Sequence, residues 1–288
     1  MPDAPIDAPF VPATYVIFHD TSPALDGEGV RTWYVRGDAM IISYSEAKPG
    51  ASLVREGQPD EYALVLPDAD TSAVVEAGDD AVTISGDSLT FIPPGTSSVR
   101  LPDGGRAVRI FTTAAADVVE RAVKEVPDNP RVGPLRTWPE PRDGFRIRSY
   151  DLDVEPGDGC FGRIFRSSTL MLNFIQPSAG PRDATTLSPH HHDDFEQGSL
   201  ALEGEFVHHL RWPWTPNRHR WREDEHVRCG SPSVAIIPPP AIHTTEAVGA
   251  GTNVLVDVFC PPREDFSLRP GWVLNSDDYP MPESSGVA

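Results

Sequence analysis

Cysteine and basic residues are both scarce in this chain. Its 288 residues include three cysteines, Cys160, Cys229 and Cys260, which lie far apart and form no zinc-type C-x-x-C pair. We interpret them as free thiols of a reducing compartment. Lys and Arg number 24 against 43 for Asp and Glu, which gives a formal net charge of −19. This balance argues against nucleic acid and anionic membrane surfaces as partners, because both need a basic face.

Long hydrophobic runs and targeting signals are missing too. No stretch approaches the roughly 18 apolar residues of a membrane helix. The opening residues, MPDAPIDAPFVP, lack the basic and apolar regions of a secretory signal. We therefore expect a cytoplasmic protein that does not enter a membrane.

Turn-forming residues are abundant and divide the chain into short segments. There are 31 prolines and 23 glycines, and the segments between them are rich in β-branched and aromatic residues, as in MIISY, YALVL, SVAII and NVLVDVF. Short strands at regular spacing predict an all-β sandwich or barrel. Only TAAADVVERAVKEV, from Thr113 to Val126, has helical spacing without Gly or Pro and predicts a helix.

The two halves of the chain resemble each other. Three pairs of segments match in the same order, with offsets of 130, 136 and 145: MIISYSEAKPGA (40–51) with LMLNFIQPSAGP (170–181), EYALVLPD (61–68) with QGSLALEG (197–204), and FIPPGTSSV (91–99) with IIPPPAIHT (236–244). Offsets that grow in order indicate two copies of one β-domain, with loop insertions in the second copy.

A run of three histidines marks the second copy, in PHHHDDFEQGSLALEGE over 189–205. On a strand, residues two apart point to the same face, so His190 and His192 can both face inward. Neighbouring residues face opposite sides, so at most one of Glu196 and Gln197 can join them. Downstream, SVAIIPPPAIH ends on His243, which can return a third imidazole to the same pocket. The alternative is an exposed polar loop that binds nothing.

These residues resemble the two motifs of the cupin superfamily, G-x5-H-x-H-x(3,4)-E-x6-G and G-x5-P-x-G-x2-H-x3-N, and the repeat resembles a bicupin. The matching residues are His190, His192, Gln197 at the Glu position, Gly204, Pro238 and His243. Besides Gln197 in place of the glutamate, four residues depart from the motifs: Ala184 and Pro232 stand for the opening glycines, Pro240 for the internal glycine and Ala247 for the final asparagine.

The resemblance implies an all-β fold of two cupin barrels, each a double-stranded β-helix or jelly roll, joined by a helix-containing linker. It divides the chain into an N-terminal arm (1–13), a degenerate barrel (14–113), a helix and Pro-rich linker (114–144), a metal-binding barrel (145–275) and a C-terminal tail (276–288).

The resemblance also implies one divalent transition metal, Fe, Mn, Ni, Co or Zn, bound by His190, His192, Gln197 and His243. Counting back from Gly204 favours Gln197, whereas counting forward from His192 fits Glu196 as well, so that choice stays open. In the first copy the corresponding places hold Val54, Glu56, Glu61 and Ser98. We therefore predict no metal in the N-terminal barrel, which would have a structural or covering role.

Two residues beyond the motifs are candidates for catalysis. His208 and His209 in FVHHLRW face opposite sides of a strand, and which of them faces inward stays open. We consider His209 as a general acid or base and Arg211, on the same face, as a clamp for a substrate carboxylate. The alternatives are a surface or barrel-lining histidine and a solvated arginine.

Three further features have two readings each. The segment RWPWTPNRHRWREDEHVRC (211–229) is either a lid over the barrel or a contact in a homodimer, and we expect the homodimer. Asp257 is an inward base or, more simply, an outward polar residue. Glu246 either hydrogen-bonds a metal-binding imidazole or is a solvated carboxylate.

The resemblance leaves the reaction open because cupins have many activities. Three imidazoles and an amide would leave a bound metal its full charge, which favours Lewis-acid chemistry. We expect a small oxygenated organic acid as substrate and metal-assisted enolisation as the reaction, giving an isomerase or lyase. The alternatives are an Fe(II)-dependent dioxygenase and a small-molecule-binding or sensory cupin without turnover.

Overall fold

The computed structural model describes residues 9–122, 124 and 126–282, so most of the predicted N-terminal arm and the last residues of the predicted tail lie outside it. In the first half the elements are β1 (Thr14–Ile17), a 3₁₀ helix (Phe18–Asp20), β2 (Leu25–Gly27), β3 (Val30–Arg36), β4 (Met40–Ala47), β5 (Ser52–Gln58), β6 (Tyr62–Leu66), β7 (Ser72–Ala77), β8 (Asp80–Ser85), β9 (Ser88–Ile92), β10 (Gly95–Arg100), β11 (Gly105–Thr112) and α1 (Ala116–Arg121).

The second half repeats this pattern of strands. Its elements are β12 (Arg148–Asp151), β13 (Gly162–Arg166), β14 (Met171–Ile175), β15 (Ser178–Ala179), β16 (Gln197–Glu203), β17 (Glu205–Arg211), a 3₁₀ helix (Arg218–Arg220), β18 (Glu225–Gly230), β19 (Ser233–Ile237), β20 (Ile242–Ala247), β21 (Thr252–Phe259) and α2 (Glu264–Ser267).

Each half combines a large antiparallel sheet with a small one. The N-terminal barrel has a seven-stranded sheet in the order β12-β9-β6-β11-β4-β3-β2 and a four-stranded sheet, β5-β10-β7-β8. The C-terminal barrel has the order β1-β19-β16-β21-β14-β13, with β15 added on β21, and a three-stranded sheet, β18-β17-β20. The all-β fold of two barrels is confirmed.

The two barrels exchange edge strands. β1 comes first in the chain but pairs with β19 of the second barrel, with Thr14 opposite Ile236. β12 follows the linker but pairs with β9 of the first barrel, with Arg148 opposite Phe91. Each of these two strands therefore pairs with the other barrel and not with the one, 14–113 or 145–275, in which the sequence placed it.

The two large sheets pack against each other and share one apolar core. Ile42 and Tyr44 from the first barrel lie in one buried cluster with Leu200 and Val256 from the second. The contact is close at Gly198, where an added Cβ would lie 2.9 Å from Ile42 Cδ1. The large sheets are thus buried on both faces, since their other faces line the barrels.

The interiors of the two barrels differ. Tyr62, Leu64, Ile92 and Phe111 belong to the apolar cluster that fills the N-terminal barrel, and a cavity of about 150 Å³ remains at its edge. The C-terminal barrel encloses a much larger cavity of about 830 Å³. A small molecule therefore has room in the second barrel.

The linker helix is shorter than predicted. α1 covers Ala116–Arg121, because the Thr113 N–H still donates to Ala39 O beyond the end of β11 and Ala122 is extended (φ −95°, ψ 103°). Residues 123 and 125 of the predicted helix lie outside the described residues. No helix in the described part of the chain has the length and apolar character needed to span a membrane. The cytoplasmic location stays a prediction.

Candidate metal centre

Three histidines converge at one end of the C-terminal barrel. The backbones of His190 and His243 form a reciprocal pair of hydrogen bonds, of 3.0 and 2.7 Å, which sets their rings side by side with centroids 4.4 Å apart. His192 lies two residues further on, with its ring 5.2 Å from His190 and 5.3 Å from His243. One nitrogen from each ring lies within 4.8 Å of the others, which is close enough for one ion to bind all three.

Backbone carbonyls fix two of the imidazoles. Nδ1 of His190 lies 3.0 Å from Ser188 O, and Nδ1 of His243 lies 2.9 Å from Ala241 O. A carbonyl oxygen only accepts, so each Nδ1 carries the hydrogen and each Nε2 keeps its lone pair. Burial lowers the pKa of His192 and of His243 to about 3. Both rings are therefore neutral at neutral pH, as metal binding requires.

Gln197, on β16, turns its amide oxygen toward these rings. Its Oε1 lies 3.0 Å from His192 Nε2 and 3.3 Å from His243 Nε2. Its Nε2 donates to Asp257 Oδ1 at 2.9 Å and to Ser199 Oγ at 3.0 Å. Because those two acceptors hold the amide nitrogen, the oxygen must face the imidazoles. The donor set of three neutral nitrogens and one oxygen suits a divalent transition metal.

Asp257 lies inside the barrel, so the reading of it as an outward polar residue is wrong. It stands opposite Ser199 in the register of β16 and β21 and lines the cavity. Burial raises the pKa of its carboxyl to about 6. The alternation of apolar and polar residues could not show this orientation, because β21 is apolar on both faces.

Glu196 faces away from the imidazoles, toward the N-terminal barrel. Its carboxylate accepts hydrogen bonds from the backbone N–H groups of Asp38 at 2.9 Å and Ala39 at 2.8 Å, in the turn between β3 and β4. A Cβ on Gly37 would come within 2.2 Å of Glu196 Oε1, so this approach needs a glycine. The structure therefore brings Gln197 to the three histidines and assigns Glu196 to the contact between barrels.

In the first barrel, Glu61 makes the contact that corresponds to that of Glu196, because its carboxylate faces residues of the other half of the chain. Glu61 accepts a hydrogen bond from Tyr279 Oη at 2.7 Å and from Ser168 Oγ at 3.4 Å. Tyr62 stands opposite Ile92 as Gln197 stands opposite Ile237. Tyr62, and not Glu61 as the spacing predicts, thus occupies the place of Gln197. The sequence offset was wrong by one residue, which reverses the face on a strand.

The cavity beside the histidines is mainly apolar with a few polar groups. Its walls include Phe161, Ile175, Phe206, Leu255, Phe259 and Phe266. Asn173, which also lines it, is fully buried, and neither its Oδ1 nor its Nδ2 has a hydrogen-bond partner among the residues that the structure describes. Such an amide is available to a bound molecule.

Two arginines line the same cavity. Arg263 is paired with Asp265, with 3.0 Å between Nε and Oδ1, and lies over the Phe266 ring. Arg182 donates to Thr186 O and Ser188 Oγ, and it forms no ion pair with a carboxylate among the described residues. Arg182 is therefore the cation available to a substrate carboxylate. Sequence reasoning missed Asn173 and both arginines, because none lies in a motif.

The structure does not bring His209 and Arg211 to the cavity. On β17, Phe206, His208 and Leu210 are buried, while His209 and Arg211 project from the opposite face. His209 Nε2 lies 3.0 Å from Glu246 Oε2 and its Nδ1 lies 2.7 Å from His226 Nδ1, whereas Arg211 pairs with Asp224. The catalytic roles predicted for His209 and Arg211 do not fit this position. Glu246 pairs with His209 and not with His190, His192 or His243, so its predicted hydrogen bond to a metal-binding imidazole does not fit either.

His208 is the inward residue of the pair, but it is packed rather than open to the cavity. It is fully buried, and its Nδ1 lies 3.1 Å from Thr245 Oγ1. Its ring centroid lies 6.1 Å from that of Tyr15, on the exchanged strand β1. His208 therefore supports the barrel wall behind Thr245, which does line the cavity.

The tryptophan-rich segment lies elsewhere on the surface. Trp214 and Trp221 stack with centroids 4.5 Å apart and are 77% and 40% exposed. With Trp212 they line a separate cavity of about 630 Å³, and none of the three lines the cavity beside the histidines. The lid reading is not supported, and the homodimer contact stays a prediction.

Comparison with known proteins supports the fold. No family model and no curated protein matches the sequence. Solved structures do match: the oxalate decarboxylase of Lactobacillus farciminis in its formate complex is 15% identical, with a TM-score of 0.62 over 90% of this chain and 89% of that chain. A structure of Bacillus subtilis oxalate decarboxylase, described by its Mn(II) centres, is 14% identical, with a TM-score of 0.59 over 92% of this chain and 84% of that chain.

At such low identity the likeness establishes architecture. Both barrels are covered, because the matches span nearly the whole of both chains. The three histidines of the second half lie together in its barrel. This chain has the two-barrel bicupin fold of these structures.

Proposed function

We propose that this protein is a mononuclear metal-dependent enzyme that acts on a small organic acid in its C-terminal barrel. One observation carries the proposal: three imidazoles and an oriented amide oxygen converge at the wall of a cavity of about 830 Å³. Similar structures are those of oxalate decarboxylases, one of them described by Mn(II) centres, which supports a metal and an acid substrate.

His190, His192, His243 and Gln197 would hold one divalent ion of Fe, Mn, Ni, Co or Zn. When bound by these neutral ligands, the ion supplies Lewis-acid polarisation of a substrate oxygen. Asp257 and Ser199 keep the Gln197 oxygen turned toward the site.

The cavity walls select the substrate. Arg182 binds the carboxylate, and the unpaired amide of Asn173 binds a second oxygen. The phenylalanine-rich walls exclude water and pack against the carbon skeleton. A cavity of this size also suggests an acid with an apolar body rather than the smallest dicarboxylates.

Asp257 is the group we assign to proton transfer, in place of His209. Its carboxyl lines the cavity, and burial raises its pKa to about 6, so at neutral pH it is mostly ionised and a stronger base than an ordinary aspartate. Removal of a proton beside a polarised carbonyl gives an enolate, from which isomerisation or elimination follows. The proposed class is therefore an isomerase or lyase.

Solvent deuterium exchange tests this function without a known substrate. The metal-loaded protein is incubated in D₂O with a panel of 2-keto and 3-hydroxy acids that carry apolar side chains, and carbon-bound deuterium is followed by NMR. We expect exchange or turnover with wild type, loss in His192→Ala and Arg182→Leu, and retention in Arg211→Leu, a matched surface arginine of the same barrel.

Two results would redirect the proposal. Fe(II)-dependent oxygen uptake with these acids would support the dioxygenase alternative. Metal-independent binding of the acids, with neither exchange nor turnover, would support a binding or sensory protein.

A further inference from the structure

Arg109 is an unpaired charge inside the N-terminal barrel. It lies on β11 and is 4% exposed. Within the described part of the chain, neither its Nε nor its Nη1 has a hydrogen-bond partner, and its guanidinium forms no ion pair. An arginine cannot lose its proton inside a protein, so this charge persists on burial. An isolated buried charge is costly unless an anion accompanies it.

A cavity of about 150 Å³ adjoins this guanidinium. The cavity is bounded by β3, β5, β11 and α1, and its lining includes Tyr34, Arg55, Arg109, Phe111 and Arg121. The guanidinium carbons of Arg55 and Arg109 each lie 5.5 Å from the centre of the Phe111 ring. Two positive groups therefore flank one aromatic wall.

The neighbouring charges leave Arg109 without compensation. Arg55 is neutralised by Asp117, with 2.6 Å between Nη1 and Oδ2. Glu28 is the one carboxylate among the described lining residues, and it is exposed. Burial, together with the nearby Arg55 and Arg121, lowers the pKa of Arg109. The surroundings thus destabilise the positive charge of Arg109, and an anion bound in the cavity would stabilise it.

The position of Arg109 on its strand explains why it points into the barrel. Arg109 stands opposite Ser43 and Leu64, as Asp257 stands opposite Asn173 and Ser199 in the other barrel. The two residues therefore occupy equivalent places. The first barrel lacks the histidines of the second and carries a positive residue where the second carries a negative one.

We propose that the N-terminal barrel binds one small carboxylate through Arg109, in the cavity beside Phe111 and Tyr34. A guanidinium pairs a planar carboxylate with two parallel hydrogen bonds. Apolar wall residues such as Leu53 and Val118 suit a short carbon body. Cavities of about 150 Å³ hold a molecule as large as benzene, so acetate fits, and benzoate tests the upper limit of size. The site is independent of the function proposed for the second barrel.

Calorimetric titration of the metal-loaded full chain tests the site. Acetate, benzoate and inorganic phosphate are titrated at constant ionic strength into wild type, Arg109→Met, Arg109→Lys and Arg100→Met. Arg100 is an exposed arginine of the same barrel and controls for net charge. A carboxylate that binds in the second barrel contributes the same heat to the titrations of all four proteins. The differences between their isotherms therefore report binding in the first barrel.

We expect wild type and Arg100→Met to show a carboxylate site that is weakened about tenfold or more in Arg109→Met. Arg109→Lys should fall between them, because lysine lacks the planar fork. Without added anion, Arg109→Met should melt at the same temperature as wild type or higher, which also shows that it folds. Identical isotherms for wild type and Arg109→Met would overturn the proposal. Preference for phosphate over both carboxylates would overturn the ligand class.

Discussion

Replacing Glu196 with alanine separates the contact between barrels from the candidate metal centre. Gln197 begins β16 and Glu196 directly precedes it, yet the Glu196 carboxylate holds the β3–β4 turn whereas the Gln197 amide faces the histidines. We expect Glu196→Ala to destabilise the fold while leaving metal binding intact. Gln197→Ala should weaken metal binding and change the stability of the metal-free protein much less.

The expected loss of stability comes from the two backbone N–H groups of Asp38 and Ala39, which would lose their acceptor. Each unsatisfied buried donor costs about 1–3 kcal/mol, so the pair costs about 2–6 kcal/mol. The substitution also removes the free-energy cost of burying the Glu196 charge, which offsets part of this loss. That cost is reflected in the pKa of Glu196, which burial raises. The net loss is therefore about 2–4 kcal/mol.

Guanidinium unfolding of the metal-free protein measures this loss. Gly37→Ala should lose stability by the same route, because its Cβ would come within 2.2 Å of the Glu196 carboxylate. Gly27→Ala is the matched control, since a Cβ there meets nothing within 4 Å. Unchanged stability of Glu196→Ala combined with loss of metal would refute the assignment of Glu196.

Two further predictions concern carboxylates inside the protein, one on the cavity wall and one fully buried. Asp257→Ala removes one of the two acceptors that orient the Gln197 amide, so metal affinity should fall about tenfold in competition with a chelating dye. Asp224→Ala, on the surface, should not change the affinity. Equal affinities of wild type and Asp257→Ala would contradict this role. Burial raises the pKa of Glu61 from 4.5 to about 7, so the folded state holds this proton more tightly and wild-type stability should fall by about 3 kcal/mol as pH rises from 4.5 to 7. Glu61→Gln should remove that part of the slope in unfolding measured at pH 5 and pH 8, and parallel profiles for the two proteins would contradict the sign.

The histidine cluster could be predicted from sequence because its geometry is local. His190 and His192 lie only two residues apart beside the isolated β-bridge of His190 with His243, although residues 191–196 form no strand, and His243 follows a proline turn at a spacing that the cupin motif fixes. The choice between Glu196 and Gln197 could not be made, because a shift of one residue reverses every face of a strand. Only the pairing of β16 with β19 and β21 decides it.

The polar residues of the cavity were hidden by the double burial of the large sheet. On β21, Val256 and Val258 face the other barrel, while Leu255 and Asp257 line the cavity. Both faces are apolar, so alternation gives no direction for Asp257. The exchanged strands were hidden for another reason: the partner of an edge strand such as β1 is chosen by long-range packing, which local pattern does not encode.

Metal analysis of the purified protein tests the central claim most directly. Wild type, His192→Ala, Gln197→Ala and Glu196→Ala are reconstituted in turn with Fe(II), Mn(II), Ni(II), Co(II) and Zn(II), and bound metal is measured by mass spectrometry. We predict about one ion per chain in wild type and Glu196→Ala, loss in His192→Ala and weaker retention in Gln197→Ala. No ion above background in wild type, or equal retention in His192→Ala, would contradict a metal centre in the C-terminal barrel.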